Sequence, residues 1–358
     1  MSSSKLIVVV GATGTQGGSV TDTFLKDDTW RVRGITRNTG SDAAKKLSEK
    51  GVEMVAANLD DTSSLVSAFR GADVVFSVTD FWQPYMNPAN REKAKPGQAL
   101  NEWAYAYEKQ QGMNVFDAAA KTEGLERLVF STLPGPKKWS NGKIDKAFHF
   151  DSKQDAVDYG KATYPELWSR TSLITIGMYL ENLLPSSFGN FLTPQKVRIF
   201  LVQVDNAAGS ALMMPLQVED GVFAMLSPTP SGSDKVVPWI AANEDTGPLV
   251  KGIVASPPSK NLIAYRENVP PEEAMNSWAR INNVKVQALE TSRDKMVETM
   301  GEELGAEIWD TFVYIKDYGF APEGDPDCVY PEALAVPVKL GTVEEWMRKQ
   351  DWSPILNA

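Results

Sequence analysis

The sequence predicts an α/β protein: a doubly wound parallel sheet followed by a smaller C-terminal α/β lobe. Three observations predict it. Short apolar, β-branched runs alternate with helix-patterned stretches through the first half of the chain, as in parallel strands that are joined by crossover helices and buried on both faces. The first run opens directly into a glycine-rich loop and a helix. Past about Tyr179 the alternation stops, and proline and glycine thicken at residues 227–233 and 256–259.

Taken in order, strands are expected at residues 6–10, 31–35, 52–56, 72–78, 125–131 and 171–176. Helices are expected at 15–26, 41–50, 61–71, 96–122 and 147–159. The first helix carries Val20, Phe24 and Leu25 at helical spacing. The second stops at Gly51, a residue suited to the position after a helix end, and Asp61, Thr62 and Ser63 offer caps for the third. In the second half, residues 199–204 and 212–216 suggest short strands or a hairpin. Further helices are expected at 246–254, 271–282, 296–309 and 343–349. The division is therefore a nucleotide-binding domain over residues 1–178 and a substrate or partner lobe over 179–358, with interdigitated segments.

The chain has 358 residues, 42% hydrophobic and 23% charged, enough to bury a substantial core without staples. Its formal net charge of −10 disfavours direct contact with a nucleic-acid backbone. Cys328 is the single cysteine, so no intramolecular disulfide can form, which fits a reducing compartment. No apolar run approaches the ~20 residues of a membrane span. A cytoplasmic protein is expected, with nuclear entry if its role is regulatory. A homodimer is left open.

The strongest motif is Gly11-Ala12-Thr13-Gly14-Thr15-Gln16-Gly17 after the first strand. Gly11 permits a tight turn, Gly14 lets backbone approach a pyrophosphate, and Gly17 permits close helix–strand packing. The helix N-terminus then offers free N–H groups and a positive dipole end to a diphosphate. Strand before, helix after, at the start of the chain, is the context of a Rossmann-type dinucleotide site. At the end of the second strand stands Ile35-Thr36-Arg37-Asn38, with no carboxylate to hold a ribose diol. Arg37 can pair a 2′-phosphate in bidentate fashion, and Lys45 and Lys46 lie near in sequence. The cofactor expected is NADP.

Two stretches carry candidate chemistry. The fifth strand ends at Ser131-Thr132, and a later helix carries His149-Phe150-Asp151-Ser152-Lys153. The i, i+4 spacing places His149 and Lys153 on one face. His149 is the only histidine, and it reads either as a general acid working near neutral pH or as a packing and hydrogen-bonding residue.

With these residues the chain resembles the NmrA-like family of atypical short-chain dehydrogenase/reductases, in a branch that holds a human redox sensor. The resemblance runs through residues 11–20, 32–38, 77–82, 149–153, 179–184 and 342–346. It implies a cofactor shell of residues 11–17, Arg37, Asn58, Leu59, Thr79, Phe81, Trp82, Lys95, Lys153, Tyr179, Leu180, Glu181 and Asn182. Lys153 would hold the nicotinamide ribose, and Ser131 or Thr132 would orient a substrate. The tyrosine usual four residues before the lysine is replaced by His149, and Asn58 stands where an acidic residue is usual. The stretch around 203–233 departs from that branch, so the substrate lobe is expected to differ.

The resemblance implies two classes of function. One is an NADP-dependent oxidoreductase, with His149, a water chain or Tyr179 giving the proton and a small apolar metabolite, of the kind made in fungal secondary metabolism, as substrate. The other is an NADP(H)-sensing regulator that binds a transcription factor or enzyme. Trp139, Tyr179, Phe188, Phe191, Trp239 and Trp278 either line an apolar pocket over the nicotinamide or pack the core. No metal site is expected.

Overall fold

Eight strands form the central sheet in the order β14 (Cys328–Val329), β11 (Asn261–Ala264), β6 (Thr171–Ile176), β5 (Arg127–Thr132), β4 (Val74–Ser77), β1 (Lys5–Val10), β2 (Trp30–Thr36), β3 (Glu53–Ala56), and every pairing in it is parallel. They come from a computed structural model that describes residues 4–184, 215–219, 221–226, 235–289, 291–321 and 325–357. In chain order the first half gives β1 (Lys5–Val10), α1 (Thr15–Phe24), β2 (Trp30–Thr36), α2 (Asp42–Glu49), β3 (Glu53–Ala56), α3 (Thr62–Phe69) and β4 (Val74–Ser77). It continues with α4 (Trp82–Met86), α5 (Leu100–Ala120), β5 (Arg127–Thr132), α6 (Pro136–Trp139), α7 (Phe148–Thr163), α8 (Pro165–Trp168) and β6 (Thr171–Ile176).

The strand order reverses direction between β1 and β4. The crevice beyond their carboxyl ends is where ligands bind in open parallel sheets. Val8, Val9, Val75, Phe76, Val129 and Phe130 are fully buried, because helices cover both faces.

The second half crosses back into the first. After β7 (Met178–Tyr179), β8 (Leu216–Glu219), β9 (Val222–Leu226) and β10 (Val237–Ile240), helix α9 (Ala242–Ala255) lies on α1. The Gly247 backbone N–H donates to Ser19 Oγ at 2.9 Å in that contact. Strand β11 (Asn261–Ala264) then pairs with β6, and β14 (Cys328–Val329) pairs with β11. Between them come β12 (Glu267–Val269), α10 (Pro271–Asn282), β13 (Lys285–Leu289) and α11 (Arg293–Tyr318). Helices α12 (Val343–Met347) and α13 (Ser353–Leu356) end the chain.

Two small sheets, β12-β10-β7 and β13-β9-β8, build the second lobe around a core of Trp239, Trp278, Phe223 and Trp346. Among the described residues no helix is long and apolar enough to cross a membrane, and no group of three metal-ligating side chains gathers.

Some expected bounds move. The helix expected from residue 96 begins at Leu100 because residues 95–98 close a turn of their own, with the Lys95 N–H donating to Gln98 Oε1 and the Gln98 N–H to the Lys95 carbonyl. The short helix α4 fills a connection with no predicted element. The helix expected over 296–309 extends to Arg293–Tyr318 and breaks at Gly301, whose φ is 79°. The strand expected at 199–204 lies outside the described residues. Of the one expected at 212–216, only residues 215 and 216 are described, and Leu216 opens β8.

Candidate functional site

The loop between β1 and α1 has the geometry of an anion cradle. Gly11 takes φ 70° to turn the chain off the strand. A Cβ on Gly17 would sit 2.1 Å from the Gly11 carbonyl oxygen, so only glycine lets α1 start this close to the turn. The first turn of α1 has no side-chain cap and no acidic residue. Its N–H groups and the positive end of the helix dipole are open to a phosphate. Thr13, Gly14 and Thr15 are exposed there, while Ala12 is buried beneath them. A dinucleotide diphosphate fits this turn.

On one side of the loop the adenylyl end would lie. Arg37 follows β2, is exposed, and donates from Nη2 to Gln83 Oε1 at 2.9 Å across the mouth of the crevice. Asn58 and Leu59 follow β3. Asn58 is engaged locally, its Oδ1 accepting the Asp60 N–H at 3.2 Å, and Asn114 Nδ2 holds the Leu59 carbonyl at 2.8 Å. Asp60 accepts from Tyr107 Oη at 2.7 Å and from Gln111 Nε2 at 2.7 Å. Gln83, Asp60, Tyr107 and Gln111 were not singled out from the sequence. Lys95 stands exposed in the turn ahead of α5.

On the other side, three buried clusters meet. In the first, Ser131 Oγ donates to Gln16 Oε1 at 2.8 Å and Gln16 Nε2 donates to Tyr179 Oη at 2.5 Å. One carboxamide thus joins the end of β5, the glycine loop and β7. Burial raises the Tyr179 phenol above its ordinary range, and the Gln16 bond partly opposes this.

In the second, the Lys153 ammonium pairs with Glu108 Oε1, Ser152 Oγ donates to Glu108 Oε2, and Thr79 Oγ1 donates to Glu108 Oε1 at 2.8 Å. Glu108 is 1% exposed. It lies on the inner face of α5 in register with Ala104, Gln111, Gly112 and Val115, all buried. A carboxylate within that apolar stripe was the available signal.

In the third, Glu307 of α11 reaches over. His149 Nδ1 lies 2.6 Å from Glu307 Oε1, the His149 backbone N–H donates to the same oxygen at 2.9 Å, and Asn101 Nδ2 meets Oε2 at 3.4 Å. Burial pulls the imidazole down to about 3, with the Lys153 ammonium adding to it, and lifts the Glu307 carboxyl well above the carboxylate range. Both shifts favour the uncharged form of each partner. The ring sits against Trp82 at 4.7 Å, Phe150 at 4.7 Å and Phe81 at 5.8 Å. His149 is thus placed as a packed, hydrogen-bonded residue joining α7 to α11.

The segment after Tyr179 divides. Leu180 is buried in the core of the second lobe. The Glu181 carboxylate accepts the N–H groups of Ala242 at 3.1 Å and Asn243 at 2.9 Å, capping α9. Asn182 lies half-buried beside them. Of the six aromatic residues, Trp239 and Trp278 are core members, and Trp139 is half-buried under Lys138. Phe188 and Phe191 lie outside the described residues, and Tyr179 alone of the remaining four bonds into the glycine loop. A cavity of about 610 Å³ opens at the amino end of the sheet between Lys5, Trp30, Arg127 and Lys251. Another of about 270 Å³ lies between α10 and α12. Neither touches Ser131, Lys153 or Tyr179, so neither is the pocket sought over the nicotinamide.

A glycine cradle at the switch point of a parallel sheet, flanked by Arg37 and Lys153, invites comparison with known proteins. The NmrA-like family pattern matches residues 3–347. The chain belongs to the NmrA-like family. Among curated members, an NmrA-like family domain-containing oxidoreductase of Aspergillus hancockii is 26% identical over 313 residues, covering 81% of each chain. Another, from Aspergillus japonicus, is 26% identical over 317 residues, covering 87% of this chain and 83% of its own. Among solved structures, NmrA, described as a negative transcriptional regulator and solved with NADP, superposes at a TM-score of 0.64 with 17% identity, over 97% of this chain and 95% of its own. This NmrA-like chain thus has relatives named as oxidoreductases and a structural neighbour named as a regulator.

Proposed function

We propose that this NmrA-like protein is an NADP-dependent oxidoreductase that moves hydride to or from a carbonyl, imine or conjugated double bond of a small apolar metabolite. The observation that carries this reading is the Ser131–Gln16–Tyr179 chain beside the uncapped start of α1. Bound there, the nicotinamide would supply or accept the hydride at C4. Arg37 would hold the 2′-phosphate, the first turn of α1 the diphosphate, and Lys153 the nicotinamide ribose.

Because Gln16 Nε2 donates to Tyr179 Oη, the phenol keeps its own proton for a substrate atom. Ser131 Oγ donates to Gln16 Oε1, and that bond fixes the amide whose NH2 group faces Tyr179. His149 is bound to Glu307 and uncharged, so Tyr179 replaces it as the proton donor in this reading. The relatives of Aspergillus hancockii and Aspergillus japonicus are named oxidoreductases, which supports the class of reaction.

The test is NADPH consumption across a panel of enones, imines and quinones. Tyr179→Phe should lower turnover by about 100-fold or more, the usual share of a general acid, while NADPH still binds. Full activity in Tyr179→Phe would remove Tyr179 from the mechanism.

A second reading, a cofactor-sensing regulator, is favoured by one observation: the lysine-bearing helix has His149 where a tyrosine is usual, and that histidine is locked to Glu307. Tight NADPH binding with no turnover on any substrate, and a protein partner whose affinity changes with NADPH against NADP⁺, would establish it.

A further inference from the structure

Glu108 is buried, charged, and unused by the mechanism above. It is also the point where two parts of the expected cofactor shell meet. Thr79 arrives from the carboxyl end of β4 and Lys153 from α7, and both donate to the same oxygen of the Glu108 carboxylate. Ser152, next to Lys153, takes the other oxygen. The carboxylate is therefore filled from three directions, and none of its partners can turn without leaving it short of a donor. Lys153 is 9% exposed, so its ammonium could not stay in this crevice without a counter-charge. An ammonium has three protons, and the Glu108 contact uses one of them, which leaves two for acceptors in the crevice.

We propose that Glu108 is the positioning residue of the nicotinamide-ribose site: it holds Lys153 and Thr79 at one fixed point, so that the crevice presents oriented donors to the ribose hydroxyls with no net charge. The proposal rests on the reading above, in which Lys153 meets that ribose. It differs from a packing role in what it spares. Glu108 should matter to the nicotinamide half of the cofactor and not to the adenylyl half, which meets Arg37 and the start of α1.

The experiment compares NADPH, followed by its fluorescence, with 2′,5′-ADP, which carries only the adenylyl half. Glu108→Gln keeps the shape and removes the charge. It should weaken NADPH about tenfold or more, the usual effect of breaking a charge-assisted bond. It should leave 2′,5′-ADP within about twofold, the expectation for an independent site. Lys153→Met should weaken NADPH to a similar degree, and E108Q/K153M should be no weaker than K153M alone, because the two side chains act as one unit.

Should E108Q not fold, Glu108→Asp keeps the charge, withdraws it from Lys153, and should show the same selectivity with a smaller loss. NADPH affinity unchanged in E108Q, or both ligands lost in parallel by a folded variant, overturns the proposal. NADPH affinity unchanged in K153M overturns both the proposal and the assignment of Lys153 to the ribose. An empty substrate screen with the selectivity intact removes only the oxidoreductase reading and leaves Glu108 in place.

Discussion

Asp151 and His149 stand two residues apart on α7, and the same burial pushes them in opposite directions. The Asp151 carboxyl is raised to about 7, and the His149 imidazole is lowered to about 3. For Asp151 the folded value lies above the unfolded one, so its contribution is complete at low pH and is lost as pH rises through about 7. For His149 the folded value lies below, so its contribution is present above about pH 6.5 and is lost as pH falls. Stability should therefore drop by about 1 kcal/mol between roughly pH 6 and pH 8 on account of Asp151. Asp151→Asn, which keeps an acceptor for the Lys137 N–H, should remove that drop. Urea denaturation of both proteins at the two pH values measures it, and parallel pH profiles would count against it. At the adenylyl end, Arg37→Ala should weaken NADPH about tenfold and leave NADH nearly unchanged, since only the 2′-phosphate is lost as a partner. Fluorescence titration reads both, and an intact NADPH preference would remove Arg37 from the specificity.

At the scale of elements, α11 decides how the crevice is closed on the α5–α7 side. Its acidic residues dock in succession. Glu303 pairs with Arg91 at 2.7 Å, Glu307 with His149, and Asp310 accepts the Lys146 N–H at 2.9 Å and the Asp145 N–H at 3.2 Å. His149→Ala would leave Glu307 short of a buried partner, and should cost about 1–3 kcal/mol of stability. It should reduce turnover far less than Tyr179→Phe does. Thermal melts and steady-state rates on the two variants separate the roles, and a silent melt with abolished turnover would restore His149 as the acid. The partner helix was visible in the sequence only as residues 296–309, because its buried face mixes Met296, Ile308, Phe312 and Ile315 with Glu307 and Thr311, which blurs the apolar period. By contrast β1, α1 and β2 were legible almost residue by residue, since hydrophobic periodicity and a glycine turn are local signals.

Across the whole molecule, the two halves share one sheet and one face. Strands β11 and β14 extend the sheet beyond β6, and α9 covers α1, so a ligand on the glycine loop braces elements from both ends of the chain. Saturating NADPH, at about 100 times its Kd, should add about 2.7 kcal/mol of stability and raise Tm by several degrees. NADH at the same concentration should add less. A thermal-shift series with both cofactors measures this, and equal shifts would argue against NADP preference. Interdigitated segments were expected, but the strands that return the chain to its first sheet were not legible, because short strands such as β14, two residues long, carry no periodicity.

The sequence by itself determined the doubly wound sheet and the glycine cradle after β1, which rest on spacing along the chain that backbone geometry converts directly into direction. It put forward Ser131, His149, Lys153 and Tyr179 as candidates. Only the tertiary structure decided what those side chains bond to. Gln16 bridges Ser131 and Tyr179, which are 48 residues apart in numbering, Glu108 takes Lys153, and Glu307 takes His149 from the far end of the chain. The physical reason is that a buried polar group must find its partner wherever the fold brings one.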